Sequence, residues 1–361
     1  MEACKTLWNN MVNRRMYITG SIGSSGLLER FTTDYDLPND CNYSESCASI
    51  GLALFGLRMA EITREASYID VVERALYNTV LAGIALDGRS FFYVNPLEVW
   101  PDNCLDRTSK EHVKPIRQKW FGVACCPPNI ARTLASLGQY IYGVGERELY
   151  LNLFVSNESL IDVGGHEVKV TCATRFPYEY TCSLKLEQVP AEGMKLAVRI
   201  PDYAREYQIQ SKGGAVSYEK EKGYACLTLT EDTELEILFK APARFLRANP
   251  KVRADCGKTA IMRGPLVYCL EEADNGKNLS ALYVKTKEGI EETWSDKLGG
   301  IVELEIKGKR IQEQEWPQEV LYQEGEIHYE DVRLRAIPYA YWNNRGQGEM
   351  TVWIKEWIPS V

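Results

Sequence analysis

The spacing of apolar residues changes at about residue 146, and this change limits the folds open to the chain. Before it, segments such as "ASYIDVVERALYNTVLAGIAL" place apolar residues at helical spacing. After it, short runs such as "HEVKVTCATRF", "YTCSLKLEQV" and "TELEILF" alternate apolar and polar residues between turn signals. Helices followed by runs of strands predict an α+β multidomain protein.

The chain divides into three segments on this pattern. Residues 1–145 are predicted to be helical, 146–245 to form one β-sandwich domain, and 246–361 to form a second. About four helices joined by two long loops bury little surface on their own. The helical segment is therefore either a small cap or the last part of a larger helical domain. Ordered loops this long are usually functional.

Composition excludes several classes of partner. The chain has 361 residues, 45% of them hydrophobic, and a formal net charge of −8. An acidic balance without a basic run argues against nucleic acid or an anionic membrane. We expect no membrane span and no signal peptide, because no sufficiently long apolar run and no N-terminal apolar region stand out. Eleven scattered cysteines predict reduced thiols in a cytoplasmic protein.

The stretch "WFGVACCPPNI" has an unusual local geometry. Neither a strand nor a helix points the side chains of neighbouring Cys125 and Cys126 in one direction. Pro127 moves Cys126 towards extended backbone, and two prolines suit the first turn of a helix. We predict a bent loop at a helix N-terminus, where thiols are often reactive or metal-binding.

Four side chains form a candidate metal site: Glu45 and Cys47 of "NYSESCASIG", with Cys125 and Cys126. Three thiolates and one carboxylate would give the four-coordinate site that zinc prefers. Glu45 and Cys47 are two residues apart, so they can share an ion only from a turn or a frayed helix start. In the alternative interpretation, Cys47 is a small buried apolar residue and Glu45 a surface or capping acid.

Three further residues are candidates for a pocket. Glu29 lies in a Gly/Ser-rich loop and could serve as a general acid, or be an ordinary solvated acid. Tyr93 and Asn95 of "FFYVNPLE" could line a sugar pocket, or belong to a buried extended segment under the loops. The three histidines have no neighbours that suggest a Cys–His dyad.

Several long blocks resemble those of glycoside hydrolase family 127, best known for β-L-arabinofuranosidase activity. They extend from about Trp8 to Trp357 and include, in chain order, "YITGSIGS", "ERFTTDYDLPND", "YSESCASIGL", "ERALYNTVLAGIALDG", "FFYVNPLE", "WFGVACCPPNIARTLASLGQYIY", "RGPLVYCLE" and "GEMTVWI". The resemblance implies an (α/α)6 barrel, of which this chain holds the closing part, followed by two β-sandwich domains.

The resemblance also implies roles for individual residues. Glu45, Cys47, Cys125 and Cys126 would bind Zn²⁺, Cys125 would also be the nucleophile, and Glu29 would be the general acid/base. Tyr93 resembles a pocket tyrosine that contacts substrate. The double displacement that these roles describe retains anomeric configuration.

We predict the first of three possible functions and keep the other two as alternatives. The first is a cytoplasmic zinc-dependent retaining glycosidase that takes an L-arabinofuranosyl oligosaccharide or a related sugar. The chain would then act as a homodimer, or together with a second chain that supplies the missing barrel helices. The second is a truncated, non-catalytic carbohydrate- or partner-binding protein with a structural zinc site. The third is a redox-sensing thiol protein.

Overall fold

A computed structural model describes residues 1–313, 316–317 and 320–358 of the chain. Five of its six α-helices precede residue 142, as the apolar spacing predicts. The helices are α1 (Glu2–Arg14), α2 (Ser46–Thr63), α3 (Ala66–Ala75), α4 (Cys126–Ala135), α5 (Gly138–Ile141) and α6 (Glu272–Asn275). A single π-helical turn, Leu76–Val80, continues α3. The helices and several β-sheets agree with the predicted mixture of helical and β parts.

Contacts between residues group the chain into two compact units. Unit 1 contains residues 1–48, 78–126 and 243–361, and unit 2 contains residues 49–77 and 127–242. Stretches of the helical segment therefore belong to both units. Each unit is described by itself below.

The strands of unit 1 form one continuous ten-stranded sheet. These strands are β1 (Glu98–Val99), β13 (Arg244–Leu246), β14 (Lys258–Arg263), β15 (Leu266–Glu271), β16 (Leu282–Val284), β17 (Glu291–Ser295), β18 (Ile301–Ile311), β19 (Tyr329–Pro338), β20 (Met350–Thr351) and β21 (Ile354–Glu356). The pairings run from β15 through β19, β18, β16, β21 and β14 back to β15. Residues 246–361 were predicted to form a sandwich of two sheets. The described part instead forms one sheet closed on itself, because β14 and β15 pair with each other as well as with other neighbours.

Unit 2 contains two sheets around a large hydrophobic core, with a smaller buried cluster beside it. Its strands are β2 (Tyr142–Val144), β3 (Glu148–Leu151), β4 (Asn157–Val163), β5 (His166–Thr174), β6 (Thr181–Glu187), β7 (Met194–Arg199), β8 (Glu206–Ser211), β9 (Gly214–Ala215), β10 (Glu219–Glu221), β11 (Tyr224–Leu229) and β12 (Thr233–Lys240). One sheet has the order β10-β11-β7-β3-β2 and the other β4-β5-β6-β12-β8-β9. Alternate residues of β6 are buried, as the alternating sequence predicts.

Two long loops of unit 1 separate its helical stretches, at residues 15–45 and 81–125. The second loop is fastened at two points. Phe92 stacks on Trp342 with ring centroids 4.6 Å apart. The buried guanidinium of Arg117 donates to the carbonyls of Ala82, at 2.9 Å, and Trp342, at 2.7 Å. These contacts give a long loop a fixed course.

One helix of the described chain, α2, is long and apolar enough to cross a membrane by length and composition alone. Half of that window is buried within the protein, and the core helix of a soluble protein passes the same test. The sequence predicts no membrane span, because small and charged residues interrupt its apolar runs. The leucine, isoleucine, phenylalanine and methionine residues of α2 nevertheless give the helix a mean hydropathy high enough for one.

Candidate metal centre and active site

Two extended segments from the two loops pair to form the frame of the site. Glu45 and Val94 form an isolated antiparallel bridge. The amide of Ser46 donates to the carbonyl of Tyr93 at 3.2 Å, which ties the start of α2 to the second loop. Residues about 50 positions apart in sequence are thereby fixed side by side.

The four predicted metal ligands lie together at this frame. The ligand atoms of Glu45, Cys47, Cys125 and Cys126 all lie within 4.8 Å of one another. The Sγ atoms of Cys125 and Cys126 lie 3.3 and 3.5 Å from Glu45 Oε1. Cys47 Sγ lies 3.6 Å from Cys126 Sγ. Because Zn–S bonds of about 2.3 Å place tetrahedral sulfurs about 3.8 Å apart, this group can hold a metal ion.

Two helix starts provide these ligands. Glu45 immediately precedes α2 and Cys47 is the second residue of that helix. Cys125 immediately precedes α4 and Cys126 is its first residue, followed by the two prolines. Both pairs therefore lie where an extended or bent backbone becomes helical, as the spacing of Glu45 and Cys47 and the Cys-Cys-Pro-Pro sequence required.

The four candidate ligands differ in their access to solvent. Cys126 is fully buried and Glu45 nearly so, whereas Cys47 is half-buried and Cys125 exposed. Burial, and then the neighbouring Cys47, raises the pKa of the Cys126 thiol. A thiolate is favoured in such surroundings when a positive charge lies beside it, and a divalent cation is such a charge. The exposed Cys125 is the sulfur that an approaching molecule reaches first.

Tyr93 contacts the exposed thiol directly. Its Oη atom lies 2.8 Å from Cys125 Sγ, while 7% of the tyrosine surface is exposed. Burial and the contact with Cys125 raise the pKa of the Tyr93 hydroxyl. It therefore remains protonated and can donate a hydrogen bond to a thiolate at this position.

Glu29 lies in a short 3₁₀ turn, Leu27–Glu29, and is exposed. The backbone there is left-handed at two consecutive residues, with φ of +61° at Leu28 and +49° at Glu29. Such conformations are costly for non-glycine residues and cluster at functional sites. Tyr43 holds the side chain, donating from Oη to Glu29 Oε1 at 2.7 Å.

Tyr43 connects Glu29 to the rest of the site, although the sequence analysis did not single it out. Its ring packs edge-on against that of Tyr93, with centroids 6.2 Å apart. Glu29, the two tyrosines and Cys125 therefore form one continuous chain of contacts. The "YSESC" stretch offered no usable signal, because the left-handed backbone at Ser44 and the helical position of Cys47 interrupt any regular alternation.

His112 packs beside the turn that carries Glu29 and against the ring of Tyr43. Its Nε2 lies 3.0 Å from the carbonyl oxygen of Cys41, and its ring centroid lies 5.9 Å from that of Tyr43. A Cβ at Gly26 would lie 2.8 Å from His112 Nδ1, so a larger residue at this position would have to displace the imidazole ring. The sequence around His112 predicts no such role, because the carbonyls that the ring contacts belong to residues about 70 positions earlier.

Asn95 does not line a pocket, which was one of its two interpretations. Its side chain is fully buried, and its amide nitrogen donates to the carbonyl of Ser44 and the hydroxyl of Ser46. The alternative interpretation, a buried extended segment under the loops, describes it correctly. The inward direction follows from the pairing of the two loops, which the sequence does not show.

Comparison with known families matches the chain to three models in succession. Residues 1–139 match "Beta-L-arabinofuranosidase, GH127 catalytic domain", and residues 148–242 match "Beta-L-arabinofuranosidase, GH127 middle domain". Residues 243–355 match "Glycoside hydrolase family 127 C-terminal domain". All three models describe one family.

Relatives agree with these matches. The chain is 38% identical over 367 residues to a non-reducing end β-L-arabinofuranosidase of Bifidobacterium longum subsp. longum. The match covers 98% of this chain and 55% of that protein. The chain thus spans about half the length of this curated relative.

Solved structures show the same relationship. The crystal structure of Ara127N-Se, a GH127 β-L-arabinofuranosidase from Geobacillus stearothermophilus T6, has 44% identity and a TM-score of 0.94. The match covers 99% of this chain and 56% of that one. The GH127 β-arabinofuranosidase BT3674 has 32% identity and a TM-score of 0.88, over 98% of this chain and 56% of its own.

Proposed function

The chain belongs to glycoside hydrolase family 127, and from this premise we propose that it carries the zinc site and catalytic residues of a retaining β-L-arabinofuranosidase. One observation supports the proposal most strongly. Four potential ligands from two loops converge within 4.8 Å, and one of them, Cys125, is exposed and contacts Tyr93.

The proposed ligands of Zn²⁺ are Glu45, Cys47, Cys125 and Cys126. Their donor set suits zinc, since three soft thiolates and one carboxylate complete a four-coordinate site. When bound, the ion would favour the thiolate form of its cysteine ligands. Tyr93 would orient the Cys125 thiolate by donating a hydrogen bond to it.

In the first step that we propose, the Cys125 thiolate attacks the anomeric carbon and the glycosidic bond breaks. Glu29 donates its proton to the departing oxygen, so a neutral alcohol leaves and a glycosyl thioether forms. Since Tyr43 donates to Oε1 of Glu29, the second carboxyl oxygen is free to carry that proton. Tyr43 therefore acts on the orientation of Glu29 rather than on the sugar.

In the second step, Glu29 accepts a proton from water as the water attacks the anomeric carbon. The thioether bond breaks, the thiolate returns, and two inversions retain the configuration of the sugar. An exposed Glu29 suits this exchange with solvent. Tyr93 is the proposed substrate-contacting tyrosine.

We also propose a domain architecture, a substrate class, partner chains and a cellular location for this protein. Residues 1–145 would be the closing part of an (α/α)6 barrel, followed by a β-sandwich domain at 146–245 and then by the closed sheet that contains strands β14 to β21. The substrate would be an L-arabinofuranosyl oligosaccharide or a related sugar. The partners that we propose are a second copy of the chain in a homodimer, or a different chain that supplies further barrel helices. We propose a cytoplasmic location, which suits eleven free cysteines.

The test combines metal analysis with an assay on an aryl β-L-arabinofuranoside, with and without the remaining half of a relative added as a separate chain. We expect one zinc per chain, hydrolysis with retention, and no turnover by Cys125→Ser. Cys4→Ser changes another exposed thiol, on α1, and should be fully active. Bound zinc without hydrolysis under any of these conditions would favour the non-catalytic alternative. Reversible oxidation of the cysteines without bound zinc would favour the redox alternative.

A further inference from the structure

Asn95 bridges the two residues on either side of the candidate ligand Glu45. Its Nδ2 atom donates to the carbonyl oxygen of Ser44 at 2.9 Å and to Oγ of Ser46 at 3.0 Å. The backbone amide of Asn95 also donates to the Ser44 carbonyl, at 3.2 Å. Three donors on one residue therefore fix both peptide neighbours of the carboxylate.

The bridged segment needs this support, because its backbone is unfavourable. Ser44 has a left-handed φ of +44°, which a non-glycine residue adopts only where its surroundings impose it. The Ser44 hydroxyl is held as well, by Asn42 Nδ2 at 2.6 Å and by Ser21 Oγ at 3.0 Å. All of these groups are fully buried. Hydrogen bonds thus fix the backbone on both sides of Glu45.

Asn95 is not arranged for stability alone. Its Oδ1 atom is buried and has no hydrogen-bond partner among the described residues, which carries a desolvation cost. A small apolar residue would avoid that cost but would offer no donor to Ser44 or Ser46. The Asn95 side chain therefore supplies the two donors that Ser44 and Ser46 need, while its own Oδ1 atom gains no partner there.

We infer that Asn95 is a positioning residue for the metal site, which holds Glu45 within reach of the ion and thereby sets both the affinity and the ligand set. This inference rests on the proposed metal site. Without Asn95, the left-handed turn at Ser44 can relax and the carboxylate can turn away, leaving three thiolates and an open position. Loss of groups that orient metal ligands typically lowers metal affinity about 10–100-fold.

Asn78 offers a matched control within unit 1. It is equally buried, and its side chain also bridges two backbone groups, donating to the Pro265 carbonyl at 2.9 Å and accepting from the Val267 amide at 2.8 Å. It belongs to none of the contacts around Glu45 described above. Asn78→Ala should therefore lower the melting temperature as Asn95→Ala does, without changing metal binding by the folded protein.

The experiment measures zinc affinity of the full chain by competition with a chromophoric chelator, together with the electronic spectrum of the Co²⁺-loaded protein. We expect Asn95→Ala to weaken zinc binding about 10–100-fold. Its Co²⁺ spectrum should move towards that of Glu45→Ala, with the sulfur-to-cobalt bands kept. Asn78→Ala should keep the wild-type affinity and spectrum.

Two milder variants make the test decisive if Asn95→Ala does not fold. Asn95→Ser keeps a donor and should recover part of the affinity, and Ser46→Ala removes one acceptor and should cost a few-fold. Wild-type affinity in these variants and in Asn95→Ala would overturn the inference, as would an equal loss in Asn78→Ala. Failure of the wild-type chain to bind zinc or cobalt would instead overturn the proposed function.

Discussion

Tyr43 donates a hydrogen bond from Oη to Glu29 Oε1 at 2.7 Å, across a loop that places the two residues fourteen positions apart. Burial, and then the hydrogen bond to Glu29, raises the pKa of the Tyr43 hydroxyl, so it stays a donor. The ring of Tyr43 packs against the ring of Tyr93, and the hydroxyl of Tyr93 contacts Cys125. The proposed acid and the proposed nucleophile are therefore held by two tyrosines that pack on each other.

Tyr43→Phe should reduce kcat/KM in a way that depends on the leaving group. Protonation by a positioned acid typically increases the rate about 10²–10⁴-fold. We expect loss of the hydroxyl that positions Glu29 to reduce kcat/KM about tenfold. That loss should appear with alkyl leaving groups, which need a proton, and nearly vanish with nitrophenyl, which does not. Rates for a series of leaving groups, measured on an active preparation, test this.

Tyr339→Phe is the control for this prediction. Tyr339 is another buried tyrosine of unit 1, and it donates one hydrogen bond, to the Pro96 carbonyl at 2.8 Å. Its loss should lower stability without any dependence on the leaving group. An equal loss for all leaving groups in Tyr43→Phe would show that Tyr43 does not act through Glu29.

Cys126→Ala should abolish tight zinc binding. Its sulfur lies within 3.6 Å of both Cys47 Sγ and Glu45 Oε1, so its loss removes the buried centre of the ligand group. We expect zinc affinity to fall more than about 100-fold, beyond the loss typical of residues that only orient ligands. Metal content after dialysis against a weak chelator measures it.

Cys269→Ala separates a lost ligand from a lost core residue. Cys269 is also fully buried in unit 1, but it belongs to β15 and lies outside the group of ligand atoms. This variant should lose stability and retain one zinc per chain. Equal metal contents in the two variants would contradict the assignment of Cys126 as a ligand.

The features that the sequence predicted are those decided locally. Alternating residues in β6 indicate a strand with one buried face wherever the strand lies. The Cys-Cys-Pro-Pro stretch begins α4 because proline suits a first helical turn in any context. The convergence of Glu45, Cys47, Cys125 and Cys126 was predicted from residue types and family resemblance together, since their spacing alone left a non-metal alternative open.

The features that the sequence did not predict depend on pairing between distant segments. The sequence around Asn95 does not predict its contacts with Ser44 and Ser46, which lie about 50 residues earlier. The same holds for the single closed sheet of unit 1, since alternation identifies strands such as β14 and β15 but not how many neighbours each has. Burial of a polar side chain is likewise decided by the segment that covers it.

Arg199→Met should strongly destabilise unit 2. The guanidinium is fully buried, and it contacts Asp70 Oδ1 at 2.6 Å, a carboxylate oxygen of Glu73, and the Asn152 carbonyl at 2.6 Å. Removing one partner of a buried ion pair leaves charges unpaired and costs about 3–5 kcal/mol. Urea unfolding measures the change.

Arg175→Met is the matched control, because Arg175 and Glu179 form an exposed ion pair in the same unit. We expect it to change the free energy of unfolding by less than about 1 kcal/mol. A similar loss in both variants would mean that the Arg199 contacts are not desolvated as the structure indicates.

Stability of unit 2 should also depend on pH through Asp70. Burial raises the pKa of Asp70 to about 7, although Arg199 acts in the opposite direction. In the unfolded chain an aspartate has a pKa of about 3.9, so the folded protein binds more protons between these values. The protonated Asp70 therefore contributes fully to the free energy of unfolding below about pH 4. This contribution is lost as pH rises through about 7, by at most about 1.4 kcal/mol per pH unit. Asp70→Asn removes the titrating carboxyl group, so the free energy of unfolding should change less with pH between pH 4 and 7. An unchanged slope in that variant would place the proton elsewhere in the cluster.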